Sequence, residues 1–198
     1  MTNIRASIVV LALAFVAALL DASAPVPSGG DLKKTVKEIA AQFQKAHKEK
    51  GDAKAAKELA EKTGKGIEKT IDLMAMFRLR EKEGLGVGAK PGPNSARDGI
   101  EAMTRELSRS VPPAVLKDIG ALEEMGYVIA AMGAIVDAKG PPKGADKKAT
   151  KLWHEYAHDT HVTGLAFAKV AATKNAAAIK TAALKVNIAC GGCHAFFR

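Results

Sequence analysis

The residues best suited to do chemistry in this sequence lie close to its C-terminal end, in the run C-G-G-C-H from Cys190 to His194. The spacing C-x-x-C-H is the attachment pattern of c-type haem. Positions three and four apart share one face of a helix, so Cys190 and Cys193 can each bond a haem vinyl group while His194 faces the iron. Neither intervening glycine carries a side chain that would obstruct a flat macrocycle. The motif therefore predicts one covalent haem c with His194 as an axial ligand.

Two other chemistries use cysteines at this spacing. A redox-active C-x-x-C pair normally opens a helix beside a β-sheet, where the helix dipole lowers a thiol pKa, whereas this pair closes the last predicted helix. Half of a zinc site would need further ligands, and the chain has only two cysteines. Both alternatives are therefore weaker than haem attachment.

The first 24 residues predict export. Arg5 provides a positive charge, residues 6–20 form an uninterrupted apolar run, and Ala22-Ser23-Ala24 resembles a signal cleavage site. Pro25 would hinder cleavage directly after Ala24, so cleavage after Ala22 and retention as an N-terminal membrane anchor both stay open. A periplasmic or otherwise exported protein is expected, which fits haem attachment outside the cytoplasm.

Composition predicts a single helical domain over residues 25–198. The chain has 198 residues, of which 47% are hydrophobic, and this is enough for one core without a disulfide scaffold. Only 5% of residues are aromatic, and alanine and lysine recur throughout, as is typical of helices. The expected fold class is all-α.

The formal net charge of +9 makes the protein basic. Export argues against a nucleic-acid partner, and the lysines alternate with acidic residues along the predicted helices. A solvated lysine-rich surface and a docking face for an acidic redox partner both remain open. A homodimer is also left open.

Apolar residues at three- and four-residue spacings predict the helices that must position the motif. The first helix contains residues 32–46, and the second is predicted to run without interruption from Ala56 to Phe77, weakened at Gly64 and Gly66. Residues 84–95 are rich in Gly and Pro and predict a long loop. A short helix is expected within residues 96–109.

Three longer segments follow. Pro112-Pro113 is predicted to start a helix with one apolar face that ends at residues 139–142. The next helix covers about residues 146–173, and the short turn at Lys174-Asn175 predicts that the last helix returns antiparallel. One face of that last helix carries Ile179, Ala182, Val186, Ala189, Cys190 and Cys193.

Residues 151–198 combine several of these features. Trp153 lies early in the penultimate helix, Lys174-Asn175 forms the turn, and the chain ends Cys-Gly-Gly-Cys-His-Ala-Phe-Phe-Arg. This stretch resembles the class II c-type cytochromes, the cytochrome c-prime family. The resemblance implies a four-helix bundle, here with an additional N-terminal helix and the long loop, and implies that Arg198 lies near the haem propionates.

The second axial position of the iron would decide the function. A methionine sulfur would give a six-coordinate haem suited to electron transfer. Met74 is the preferred sixth ligand because it shares a predicted face with Ile67 and Ile71, and Met132 is the alternative if the chain folds back as a hairpin. A simple role in the core is favoured over ligation for each of them. An apolar position would instead allow binding of a small gas such as nitric oxide, as the family resemblance implies.

The histidines offer a further alternative. His154, His158 and His161 follow one helical stripe and are compatible with a transition-metal site or with polar surface. His47 is placed to interact with the C-terminal dipole of the first helix. The glycines of residues 84–88 follow a helix, so dinucleotide binding is disfavoured. No hydrolytic or transferase motif is present in the sequence, and an electron carrier rather than an enzyme is expected.

Overall fold

The computed structural model describes residues 29–88 and 98–197, and no β-strand occurs among them. The predicted all-α class is therefore confirmed. The predicted signal peptide, the Gly/Pro-rich loop from residue 89 onward and Arg198 lie outside the described residues. Seven α-helices are described: α1 (Gly29–Glu49), α2 (Lys54–Gly66), α3 (Thr70–Ala75), α4 (Ile100–Leu107), α5 (Ile119–Lys139), α6 (Lys147–Ala171) and α7 (Ala176–Phe197).

Helix α5 forms the centre of the fold. It packs against α1, α2 and α6, and every residue from 125 to 133 is buried. The prediction of a single apolar face was wrong because this helix is apolar on all sides, as a central helix must be. Its length and composition would also allow α5 to cross a membrane, but 67% of its most apolar window is buried inside the protein.

The contact between α5 and α6 depends on small residues. A Cβ atom placed on Gly126 would lie 2.5 Å from the Ala168 amide nitrogen, and one on Gly164 would lie 2.5 Å from the Ala130 amide nitrogen. Such distances are far below ordinary carbon contacts. Glycine on each helix therefore allows the two backbones to approach closely.

The predicted second helix is broken into α2 and α3. Gly64 packs directly on α5, where an added Cβ would lie 2.5 Å from the Ile135 carbonyl oxygen, and Ile67 is extended with φ −88° and ψ 120°. The break changes which side of the chain is buried, so Leu73 lies in the core while Ile71 is 56% exposed. The prediction of one continuous helix was therefore wrong.

Side-chain caps define where the later helices begin. The Asp118 carboxylate accepts a hydrogen bond from the Ala121 amide at 3.1 Å, so α5 begins after Asp118 and not at Pro112-Pro113 as predicted. The Asp146 carboxylate caps α6 in the same way, which confirms the predicted start of that helix.

Helices α6 and α7 form an antiparallel hairpin, as predicted. Lys174 adopts the left-handed φ of 58° in the turn, and the Asn175 side chain accepts a hydrogen bond from the Ala178 amide at 3.0 Å. At the open end of the hairpin, the rings of Trp153 and Phe197 meet edge to face with centroids 5.1 Å apart. The Trp153 indole N–H also donates to the Val136 carbonyl at 2.9 Å, which ties the hairpin to α5.

An ion pair joins the two ends of the Gly/Pro-rich loop. The Arg80 guanidinium donates to both Asp98 carboxylate oxygens, at 2.7 and 3.2 Å, and to the Gly88 carbonyl at 2.8 Å. The Val87 amide also donates to Asp98, at 3.0 Å. Burial alone would raise the pKa of Asp98, but these hydrogen bonds and the Arg80 charge outweigh it and lower the pKa. The pair links the segment that follows α3 to the segment that precedes α4.

Candidate functional site

A cleft of about 540 Å³ opens between α7 and the helices that face it. Cys190, Cys193 and His194 all line this cleft, so the three motif residues share one wall as the sequence predicted. The volume falls within the range of about 300–1,000 Å³ that is usual for ligand and cofactor sites.

The cleft is built from five helices and is largely apolar. Its floor is α5, which contributes Ile129, Met132 and Val136. Most of its polar side chains come from α4, α6 and α7. The remaining lining residues include Ile71, Met74, Phe77, Arg78, Ile100, Glu101, Thr104, Tyr156, Thr160, Asn187 and Phe197.

Both cysteines are free thiols and half-buried. Burial, then the neighbouring Cys193 thiol and the Glu101 carboxylate, raise the pKa of Cys190 to about 11, and burial also raises the pKa of Cys193. The two thiols also lie near the C-terminal end of α7, where the helix dipole disfavours an anion. A redox pair or a zinc thiolate needs a lowered pKa, so this environment is the opposite of what those alternatives require.

The two glycines of the motif have different surroundings. An added Cβ on Gly191 would meet no atom within 4 Å, whereas one on Gly192 would lie 2.7 Å from the Tyr156 ring. Glycine at 192 therefore allows Tyr156 to pack against α7 beside the cleft. This role depends on a tertiary contact, so it could not be predicted from the sequence.

Both methionines that the sequence singled out line the cleft. Met74 is half-buried on the short helix α3, and Met132 is 1% exposed in the floor formed by α5. The predicted face of Ile67, Ile71 and Met74 does not exist, because the chain is extended at Ile67. Ile71 and Met74 nevertheless reach the cleft together, since they are three residues apart within α3.

Several cleft residues were missed by sequence reasoning. Thr104 is buried on α4, and its hydroxyl oxygen has no hydrogen-bond partner within the described part of the chain. The stripe of Ile100, Thr104 and Leu107, at spacings of four and three, was the signal that could have revealed its inward position. Arg78 is a basic residue at the rim of the cleft. Arg198, the predicted propionate partner, lies outside the described residues.

The histidine stripe on α6 is engaged in other contacts. His154 Nδ1 lies 2.6 Å from an Asp137 carboxylate oxygen, and His161 Nδ1 lies 2.9 Å from the Ala130 carbonyl oxygen. The His161 ring also packs on Phe43, and burial lowers its pKa. Within residues 29–88 and 98–197, no three His, Cys, Asp or Glu residues are grouped to hold a metal ion. The alternative of a metal site on this stripe therefore gains no support.

The charge of the C-terminal region differs from that of the rest of the chain. Residues 160–198 contain no aspartate or glutamate but carry Lys169, Lys174, Lys180 and Lys185. Lys180 and Lys185 are on α7, where they lie beside exposed Leu184 and Ile188. The expectation that acidic residues are mixed among the lysines therefore fails for this region, and counting charges along the sequence would have revealed it.

Comparisons of the chain with known protein families, with curated proteins and with solved structures found no significant match.

Proposed function

We propose that this protein is an exported monohaem c-type cytochrome that transfers electrons. Cys190 and Cys193 would hold the haem covalently, and His194 would bind its iron. The observation that carries the proposal is the C-x-x-C-H motif on the wall of a cofactor-sized apolar cleft. The proposed place in the class II c-type cytochromes rests on the residues of the last two helices.

The cleft lining suits a large, flat and mostly apolar group. Ile129, Met132 and Val136 form an apolar floor, which would exclude water from one face of such a group and contribute apolar contact. A bound haem would supply a one-electron redox centre at its iron. The protein would hold that centre in place and set how much solvent reaches it.

Met74 is the proposed sixth ligand. It is half-buried at the cleft on a six-residue helix, so its flexible thioether can reorient, whereas Met132 is packed within the core. A methionine and a histidine together raise the reduction potential of a haem, which suits an electron carrier. The second candidate function is a five-coordinate haem that binds a small gas, and the apolar floor is the observation that favours it.

The proposed redox partner is an acidic protein that docks on α7. The support is electrostatic: residues 160–198 lack carboxylates, and Lys180 and Lys185 flank exposed Leu184 and Ile188. Surface charges of one sign steer an oppositely charged partner and accelerate its association. Docking on this helix would bring the partner close to the motif residues on the same helix.

Attachment is tested by producing the wild type, Cys190→Ala and Cys193→Ala together with a haem maturation machinery. Wild-type protein should retain haem after acid-acetone extraction and gain the mass of one haem, whereas each cysteine variant should lose a thioether and retain less. Asn187→Ala is the matched control, because it also changes the cleft wall on α7 without removing a thiol. Complete extraction of haem from the wild type would refute the proposal.

Axial ligation is tested by adding carbon monoxide to the ferrous protein. With Met74 as ligand, the wild type is six-coordinate and binds the gas slowly, while Met74→Ala is five-coordinate and binds it fast. Met132→Ala is the comparison, because it removes the other cleft methionine. A five-coordinate wild type with the same rate in Met74→Ala would eliminate Met74 and favour gas binding.

A further inference from the structure

Thr104 carries a hydroxyl group whose hydrogen-bonding capacity is unused in the described part of the protein. The residue is 5% exposed, lines the cleft on α4, and its Oγ1 atom has no hydrogen-bond partner among residues 29–88 and 98–197. A buried polar group without a partner is uncommon in folded proteins and destabilises them. Its position at the cleft suggests that the missing partner belongs to whatever binds there.

Five other threonines in the described helices avoid such a loss. Each of them donates its hydroxyl to the carbonyl oxygen four residues earlier in its own helix, the usual local solution for threonine. Thr104 could have used the Ile100 carbonyl in the same way, yet it does not. The threonines that make this bond are Thr35, Thr63, Thr160, Thr163 and Thr181, with distances of 2.9, 2.6, 2.8, 2.6 and 3.1 Å.

We infer that Thr104 is a binding residue of the cleft, and that its hydroxyl donates a hydrogen bond to an acceptor oxygen of the bound group. This inference rests on the proposed function. A haem offers such an oxygen from two sources, a propionate carboxylate or a small molecule bound to the iron. Thr104 would therefore fix the orientation of the haem or stabilise its gas ligand.

The test compares Thr104→Val with Thr160→Val in the full chain, with and without covalent haem. Valine replaces the hydroxyl by a methyl group of similar shape. Thr160 is the matched control because it lines the same cleft but already donates to the Tyr156 carbonyl. In the haem-free protein, Thr104→Val should unfold at the same or a higher temperature than the wild type, since it removes a buried unpaired group.

In the haem-loaded protein, Thr104→Val should instead lower the unfolding midpoint by about 2–4 °C, the size expected for one hydrogen bond in a chain of this length. Thr160→Val should shift both forms by the same amount. Thr104→Ser, which keeps the hydroxyl, should recover the loss in the haem-loaded form. Equal shifts of the two forms by Thr104→Val would overturn the inference.

Two spectroscopic measurements separate the sources of the acceptor. A change in the carbon monoxide stretching frequency in Thr104→Val would assign the acceptor to the iron ligand. A change in the pH dependence of the reduction potential would assign it to a propionate. If haem is attached but Thr104→Val changes neither spectroscopic property nor the thermal midpoint, only the Thr104 inference is overturned. A wild type that never attaches haem would overturn both this inference and the proposed function.

Discussion

Replacing Gly164 by alanine should separate α5 from α6. The new Cβ would lie 2.5 Å from the Ala130 amide nitrogen, about 1 Å short of ordinary contact, and 2.9 Å from the Gly126 carbonyl oxygen. Both are backbone atoms, so no side chain can rotate away. Overpacking of this kind costs about 1–3 kcal/mol, and we take the upper end because the neighbours are rigid. Alanine has a better helix propensity than glycine, and this offsets about 1 kcal/mol of the cost. The net loss is about 2 kcal/mol.

That loss corresponds to a thermal midpoint about 4–8 °C below the wild type, which differential scanning calorimetry or circular dichroism can measure. Gly66→Ala is the control, because a Cβ at that helical position would meet no atom within 4 Å. It should leave stability unchanged or raise it by up to about 1 kcal/mol. If Gly164→Ala were as stable as Gly66→Ala, the close approach of the two helices would be wrong.

Three further perturbations probe the ion pair, the half-buried His161 and the cleft. The lowered pKa of Asp98 means that its carboxylate stabilises the fold above its ordinary pKa, and that this stability is lost as pH falls through the lower folded value. Asp98→Asn should therefore cost about 2–3 kcal/mol at pH 7 and flatten the loss of stability below about pH 4, as measured by urea unfolding. The lowered pKa of His161 means that, below about pH 6.5, this residue binds a proton more readily in the unfolded chain than in the folded protein. The wild type should therefore lose stability as pH falls from about 7.5 to about 5.5. In the same assay, His161→Asn should lose less stability over this pH range. Covalent haem should raise the thermal midpoint above that of the haem-free protein, because it would cover the apolar floor of the cleft, and equal midpoints would contradict the proposed site.

Features set by neighbouring residues in one helix could be predicted from the sequence. The motif cysteines and His194 share the cleft wall because spacings of three and four fix a face of α7 whatever surrounds it. The start of α6 at Asp146 and the turn at Lys174-Asn175 could also be predicted, because helix caps and left-handed turn residues depend only on nearby residues in the sequence.

Features set by contacts between helices could not be predicted in the same way. The sequence predicted that Gly64 weakens one long helix. In the structure, Gly64 instead allows the backbone of α5 to pack closely against α2, because glycine has no side chain. This contact depends on residues of α5 that are far away in sequence, and the chain becomes extended three residues later, at Ile67. The central position of α5 was more accessible, because its apolar residues cover all sides of the helix and not one stripe.

The break between α2 and α3 is also what gives the chain a cleft. An uninterrupted helix would continue along the line of α2, whereas the extended chain at Ile67 lets α3 change direction. The ion pair of Arg80 with Asp98 links the segment after α3 to the segment before α4. The two short helices then face α7 across the floor that α5 provides. Met74 and Thr104 reach the same space from these two helices, although no sequence pattern links them. The motif can thus be recognised within one helix, but the groups that would complete its chemistry are assembled by tertiary structure.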